Sequence, residues 1–202
     1  MCLDDNSFQK LKLLLDCSDH SFAKVYHDRS VSSVYFDDTR LSRYFTHVEG
    51  QPIRKKTRIR FYEELSSNKL FPLHCVLEHK IKRYNLGTKV KKKGTFEELC
   101  GEIENLSAVT AVRYIREYFE AKNGLRVTLD SGITYAIPHV RKNEIEFSNF
   151  REAMINIVEI KTPKEVRNEE RDSLHSLIEK LGGRVHKFSK YCDSIEKLGL
   201  VY

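Results

Sequence analysis

The 202-residue chain carries a formal charge of +6, ten Tyr, eleven Phe and no Trp, with no Pro/Gly/Ser-rich linker, so a single domain spanning 1–202 and an acidic partner are expected. Its longest apolar stretches, Leu13-Leu14-Leu15 and Ile155 to Ile160, are far too short to span a bilayer, and Met1-Cys2-Leu3-Asp4-Asp5 lacks a signal-peptide pattern, so the expected location is cytoplasmic. Cys2, Cys17, Cys75, Cys100 and Cys192 are odd in number and include no Cys-x-x-Cys pair, which argues against a disulfide framework or zinc site.

Phe8, Leu11, Leu14 and Leu15 recur at helical spacing, and Phe22 to Tyr26 predicts a second short helix. Val31 to Phe36 is β-branched and aromatic and stops at Asp37-Asp38, the mark of a strand. Strands are expected over Ile53 to Glu63, Phe71 to Tyr84 and Gly87 to Lys93, the last two forming a hairpin around Asn85-Leu86-Gly87. Thr95-Phe96-Glu97-Glu98 has the capping-box pattern and starts a helix through Phe96, Leu99, Cys100 and Ile103. A further helix is predicted from about Ala108 to Lys122, on Val109, Val112, Ile115 and Phe119, ending at Asn123-Gly124. Strands then follow at Leu125 to Asp130, at Ile133 to Ile137 after a turn at Ser131-Gly132, and at Ile155 to Lys161. A closing helix with Leu174, Leu177, Ile178 and Leu181 stops at Gly182-Gly183.

Strand side chains alternate between faces, so the parity of the charges matters. Arg54, Lys56, Arg58 and Arg60 share one face against Ile59 and Phe61; Glu78, Lys80 and Lys82 oppose Leu77 and Ile81. Lys89, Lys91 and Lys93 repeat the split. So do Arg126, Thr128 and Asp130 against Val127 and Leu129, and Glu159 and Lys161 against Val158 and Ile160. An open sheet with a solvated polar face would mix Thr, Ser and Gln into such ladders, whereas these are dominated by Lys and Arg, which repel unless an anion occupies them. The predicted fold is therefore α+β, an antiparallel β-barrel or tunnel enclosing the ladders with helices packed outside.

These motifs resemble the catalytic VTC (vacuolar transporter chaperone) domain of polyphosphate polymerases, a branch of the triphosphate tunnel metalloenzyme (CYTH-like) superfamily. Six stretches carry the resemblance in order: Val31 to Asp38, Gly50 through Arg54 to Tyr62, Leu77-Glu78-His79-Lys80, Arg126 to Asp130, Val158-Glu159-Ile160-Lys161, and Lys187-Phe188-Ser189-Lys190-Tyr191. The resemblance implies a metal-dependent phosphotransferase of the polyphosphate kinase type, which transfers the γ-phosphoryl of ATP to a growing polyphosphate chain. Arg58, Arg60, Lys80, Lys89, Arg126, Lys187 and Lys190 become the expected phosphate ligands, joined by Arg116 and by Lys161. Arg58, Arg60, Lys80 and Glu159 form the expected catalytic group, with Glu159 holding a divalent metal, Mn²⁺ or Mg²⁺. Glu78 is read as a second acidic group or, in preference, as a salt-bridge partner ordering Lys80, and Asp130 as an organiser of the turn before Gly132 rather than a metal ligand. Family members begin with a basic strand upstream of the first helix, and with only Met1 to Ser7 there, that strand is expected to be missing or truncated.

ATP and polyphosphate are the implied partners, with room for a membrane-protein partner and the oligomeric state left open. A tripolyphosphate or nucleoside-triphosphate hydrolase of the same superfamily and a non-catalytic polyphosphate-binding module remain open alternatives. Nucleic-acid binding is not expected, because the basic residues alternate with core positions rather than with exposed aromatics.

Overall fold

The computed structural model describes residues 1–16, 22–62, 69–70, 72–141, 144–163, 168–183 and 188–201. In chain order the elements are β1 (Cys2–Leu3), α1 (Asp5–Asp16), β2 (Ala23–Lys24), β3 (Arg29–Asp37), α2 (Ser42–Val48), β4 (Ile53–Phe61), β5 (Lys69–Leu70), β6 (Cys75–Arg83) and β7 (Leu86–Gly94). Then come α3 (Phe96–Gly101), β8 (Ser107–Glu120), β9 (Arg126–Arg141), β10 (Glu144–Glu152), β11 (Asn156–Lys161), α4 (Asn168–Lys180) and α5 (Lys190–Lys197). No described helix is long and apolar enough to cross a membrane.

The chain forms two compact units. The first comprises Met1–Arg29, Tyr114–Ile133 and Met154–Phe188; the second comprises Ser30–Arg113, Thr134–Ala153 and Ser189–Tyr202.

In the first unit β11 pairs antiparallel with β9, and β1 adds a short rung to β11 through Cys2 opposite Ile157 and Leu3 opposite Asn156. A two-residue strand thus stands ahead of α1, where the sequence suggested a gap. α1 buries Phe8, Leu11 and Leu15 in a core with Val127, Leu129, Val158 and Ile178. Asn156 donates to Asp5 Oδ1 at 2.7 Å, fixing the start of that helix.

In the second unit β3, β4, β6 and β7 form successive antiparallel ladders. β9 also pairs with β10, whose register shifts at a bulge between Ser148 and Arg151. One face of this sheet packs Val34, Phe36, Ile59, Phe61 and Leu77 against Phe96 and Leu99 of α3 and against Ile145 and Phe147. The expected capping box closes α3: Thr95 accepts from the Glu98 amide, and the Glu98 carboxylate accepts from the Thr95 amide.

Several expectations are corrected. The strand pairing is mostly antiparallel but open rather than a closed barrel: among the described residues the strand order ends at β7 on one side and β1 on the other. β7 is exposed on both faces and dense in lysine, which discourages a further strand. The segment predicted as a helix over Ala108 to Lys122 is β8. Its β-branched Val109, Thr110, Val112 and Ile115 favour extended backbone, and pairing overrides the accidental 3.6-residue spacing. The Phe22–Tyr26 helix is likewise absent, since Ala23 and Lys24 pair with Glu120 and Phe119 of β8. β9 continues through Ser131-Gly132 instead of turning, with Gly132 at φ 57°. α2, β5, β10 and α5 went unpredicted.

Candidate functional site

The register of the second unit assembles the basic face predicted by parity. Tyr35 lies opposite Arg58, Ser33 opposite Arg60, Arg58 opposite Glu78, Glu78 opposite Lys91, and Lys80 opposite both Lys56 and Lys89. Adjacent strands lie close to 5 Å apart, so these side chains form a continuous field rather than isolated charges.

Glu78, buried at 3% exposure, is the hub. Arg58 clasps its Oε2 through Nε at 2.7 Å and Nη2 at 2.6 Å, and Arg60 Nη2 stands 3.8 Å from the same oxygen. Lys89 Nζ meets Oε1 at 2.6 Å and Lys91 Nζ lies at 3.9 Å. Burial alone would raise the Glu78 carboxyl, but the Arg58 and Arg60 guanidiniums and the hydrogen bonds from Lys89 and Arg58 overcome it, bringing it down to about 2. Lys89 is lowered too: burial leads and, joined by repulsion from Arg58 and Arg60, prevails over its attraction to Glu78. One carboxylate shared among four cations leaves each of them in surplus positive potential. The expectation that Glu78 orders Lys80 is thereby corrected. Residues two apart on one strand are farther separated than cross-strand neighbours, so the carboxylate is taken by Arg58, Arg60, Lys89 and Lys91.

Two guanidinium nitrogens on this face, Arg54 Nε and Arg60 Nε, are buried with no hydrogen-bond partner among the described residues, as is Oγ of Ser33, which lies opposite Arg60. A buried donor left unmade costs about 1–3 kcal/mol, which an oxyanion would recover.

Tyr35, which the sequence did not single out, supports the cluster from β3. Its hydroxyl accepts from Arg58 Nη1 at 2.9 Å, and its ring stacks on Tyr191 of α5 at 5.1 Å between centroids. Burial works to raise its phenol, yet Arg58, Lys56 and Arg60 bring it below the usual value. Tyr191 in turn donates to Asp37 Oδ2, and Lys56 Nζ donates to Ser189 Oγ, the N-cap of α5, at 2.9 Å. The alternation Ser33, Tyr35, Asp37 was legible as a face; its placement opposite Arg60 and Arg58 was not. Lys190, an expected phosphate ligand, is the first residue of α5.

The first unit holds the remaining expected ligands that are described. Glu159 pairs with Thr128 and Lys161 with Arg126 on adjacent strands. Glu159 is half exposed, with Lys161 Nζ 3.5 Å from its Oε1. Arg116 stands on β8 rather than on a helix, and it grips Asp130 with Nε to Oδ1 at 2.5 Å and Nη2 to Oδ2 at 2.7 Å. Burial opposes the Arg116 charge, but the Asp130 bonds prevail and hold it above its ordinary value. Asp130 is therefore an ion-pair anchor for Arg116. Also unforeseen was buried Glu117, which takes Lys12 and Lys24. Lys187 lies outside the described residues.

No group of three or more His, Cys, Asp or Glu among the described residues could cage a metal. Glu78 and Asp130 are committed to cations, leaving Glu159 as the carboxylate available on its face. That donor set fits a divalent cation which arrives with phosphate oxygens as its other ligands, the usual habit of Mg²⁺, and does not fit an all-protein site.

No curated protein matches the sequence significantly. Among solved structures, a protein from Vibrio parahaemolyticus provisionally described as an adenylate cyclase superposes with a TM-score of 0.51 at 10% identity, covering 95% of each chain, which shows a shared fold. The PH1819 protein from Pyrococcus horikoshii aligns at a TM-score of 0.49 and 16% identity, covering 94% of this chain and 91% of that one. The family model described as the VTC domain matches residues 3–100 and 87–199. Its span takes in the β3, β4 and β6 motifs, the Glu159 strand and α5 alike, and the chain belongs to the VTC domain family.

Proposed function

We propose that this chain is a polyphosphate polymerase domain, which transfers the γ-phosphoryl of ATP to the end of a polyphosphate chain. The observation that carries the reading is the Arg58–Arg60–Lys89–Lys91 cluster around a single carboxylate, with Arg54 Nε and Arg60 Nε buried and unmatched. Each Lys or Arg contact to a phosphate oxygen at about 4 Å is worth on the order of 4 kcal/mol at an effective dielectric near 20, before desolvation. A linear polyanion laid along the face would make several, replacing mutual repulsion by attraction.

Phosphoryl transfer asks little covalent chemistry of a protein, so fixed cations that orient the reacting phosphates and neutralise developing charge suffice. Arg58 and Arg60 are proposed to hold the transferred phosphoryl, Lys80 and Lys89 the chain, and Tyr35 to keep Arg58 in its productive rotamer. Lys190, Arg116, Arg126 and Lys161 are proposed as further phosphate contacts. Glu159 would hold the divalent cation, Mn²⁺ or Mg²⁺, which when bound neutralises phosphate oxygens. A cytoplasmic setting follows from the nature of the nucleotide substrate.

Glu78 is not the base that a hydrolase would need. A carboxyl held near 2 is too weak a base to activate water, and Glu78 is the acidic residue at the centre of the basic face.

Incubation of the purified protein with ATP and Mn²⁺, with products separated on a gel, is expected to give long polyphosphate. Free phosphate alone would assign a hydrolase, and no turnover with retained tripolyphosphate binding would assign a binding module. Tripolyphosphate at a hundred times its dissociation constant should stabilise the fold by about 2.7 kcal/mol. No thermal shift would sink the phosphate reading altogether.

A further inference from the structure

The β6–β7 hairpin ends in an apolar tip on a basic stem. Tyr84 is 72% exposed and Leu86 78%, and Ile53 and Val90 are each more than half exposed. The register sets Ile53 opposite Arg83, Arg83 opposite Leu86, and His79 opposite Val90, so Ile53, Leu86 and Val90 share one sheet face, with half-buried Ile81 between them. The tip is held in place. Tyr84 takes a left-handed φ of 52°, and its amide donates to Pro52 O at 2.7 Å, tying the turn to the start of β4.

Arg54, Lys55, Lys82 and Arg83 lie within two residues of Ile53 or Tyr84 and flank this tip, and the strands behind it are basic throughout. β4, β6 and β7 carry five, three and four Lys or Arg respectively, and Glu78, the one Asp or Glu in all three strands, points to the other face and is already bound. Lys55 and Arg83 lie on the apolar face itself, flanking Ile53 and Leu86, and both are exposed.

Aliphatic side chains held in water are unfavourable unless something covers them, and the surrounding charge says what can. A second copy would bring the same cations and be repelled. A nucleic acid would satisfy the Lys and Arg but leave Ile53, Leu86 and Val90 uncovered, because aliphatic groups neither stack on bases nor hydrogen-bond to them. An anionic bilayer satisfies both: its boundary accepts Leu and Ile, Tyr favours the headgroup level, and lipid phosphates face the lysines. We propose that the β6–β7 hairpin is a docking element for an anionic membrane surface, with Tyr84 and Leu86 inserted and Lys55, Lys82 and Arg83 on the headgroups. The contact is direct and reversible and needs no membrane-protein partner.

The test uses the full chain with vesicles of phosphatidylcholine alone and of phosphatidylcholine mixed with phosphatidylglycerol. Sedimentation should show binding to the mixed vesicles only, weakened by added salt, and at least tenfold weaker for the Tyr84→Ser/Leu86→Ser variant with its thermal midpoint and tripolyphosphate shift unchanged. The native chain has no Trp, so Leu86→Trp gives a single indole reporter whose emission should shift to the blue on the mixed vesicles. Equal binding to both vesicles, binding indifferent to the tip variant, or an unshifted indole emission would overturn the proposal. So would complete release by tripolyphosphate, which would assign headgroup capture to the Glu78 cluster, or displacement by single-stranded RNA that itself depends on the tip.

Discussion

Glu78 shows how much one side chain can set at the residue scale. Its folded value of about 2 lies below the ordinary 4.5, so its contribution to stability is full above pH 4.5 and fades as the pH falls toward 2. That difference corresponds to at most about 3 kcal/mol. Glu78→Gln should cost about 3–5 kcal/mol, because four cations are left facing one another. Tripolyphosphate should then recover more of the thermal midpoint in the variant than in the native protein, since it takes over the neutralisation. An equal or smaller recovery would show that the polyanion binds elsewhere. His47 offers an independent reporter. Burial first, then the field of Lys56, Arg54 and Lys80, pushes its imidazole down to about 4. It is neutral when folded but would take a proton when unfolded, so its share of stability declines as the pH falls from about 6.5 toward 4. An NMR titration should find this value rising when tripolyphosphate cancels the lysine and arginine field; an unmoved His47 would place the anion outside that field.

At the scale of elements, α2 depends on a residue outside it. Its N-cap position is Leu41, which is left-handed at φ 54° and has no capping side chain. Buried Asp37 serves instead, accepting from the Arg43 amide at 3.1 Å and the Tyr44 amide at 3.0 Å, while Asp38 accepts from the Ser42 amide at 3.1 Å. Because Asp37 also takes the Tyr191 hydroxyl, Asp37→Asn should cost about 2 kcal/mol in urea unfolding and loosen α5 as well as α2, seen as faster amide exchange in both. Exchange raised in α2 alone would disconnect the two helices. The same residues mark what a sequence can convey. Asp37-Asp38 read correctly as the end of a strand, and Thr95 with Glu98 as a helix start, because turn and cap chemistry is local. β8 was misread because Val109, Val112, Ile115 and Phe119 fit a helical stripe, and only the strands beside them decide otherwise. The basic faces were legible from parity within each strand. The commitments of Glu78 to Arg58 and Lys89, and of Asp130 to Arg116, depend on register between strands and were not.

For the molecule as a whole, a net charge of +6 understates how unevenly charge is placed. The described residues proposed to hold phosphate or metal fall into two sets. Arg58, Arg60, Lys80, Lys89 and Lys190 belong to the second compact unit, and Arg116, Arg126, Glu159 and Lys161 to the first, although β8 and β9 run through both. A motif order along the chain could not reveal that division. β7 has a consequence of a different kind. As the end of the strand order among the described residues it presents one open backbone edge, with Lys89, Lys91, Lys92 and Lys93 beside it. Those lysines act as colloidal insurance, repelling any second chain that would extend the ladder by self-templating. Chemical acetylation of the protein should therefore convert a monodisperse solution into growing β-rich particles, visible as rising light scattering with thioflavin binding. Lysine-to-arginine replacement at the same four positions should leave the solution clear after the same treatment.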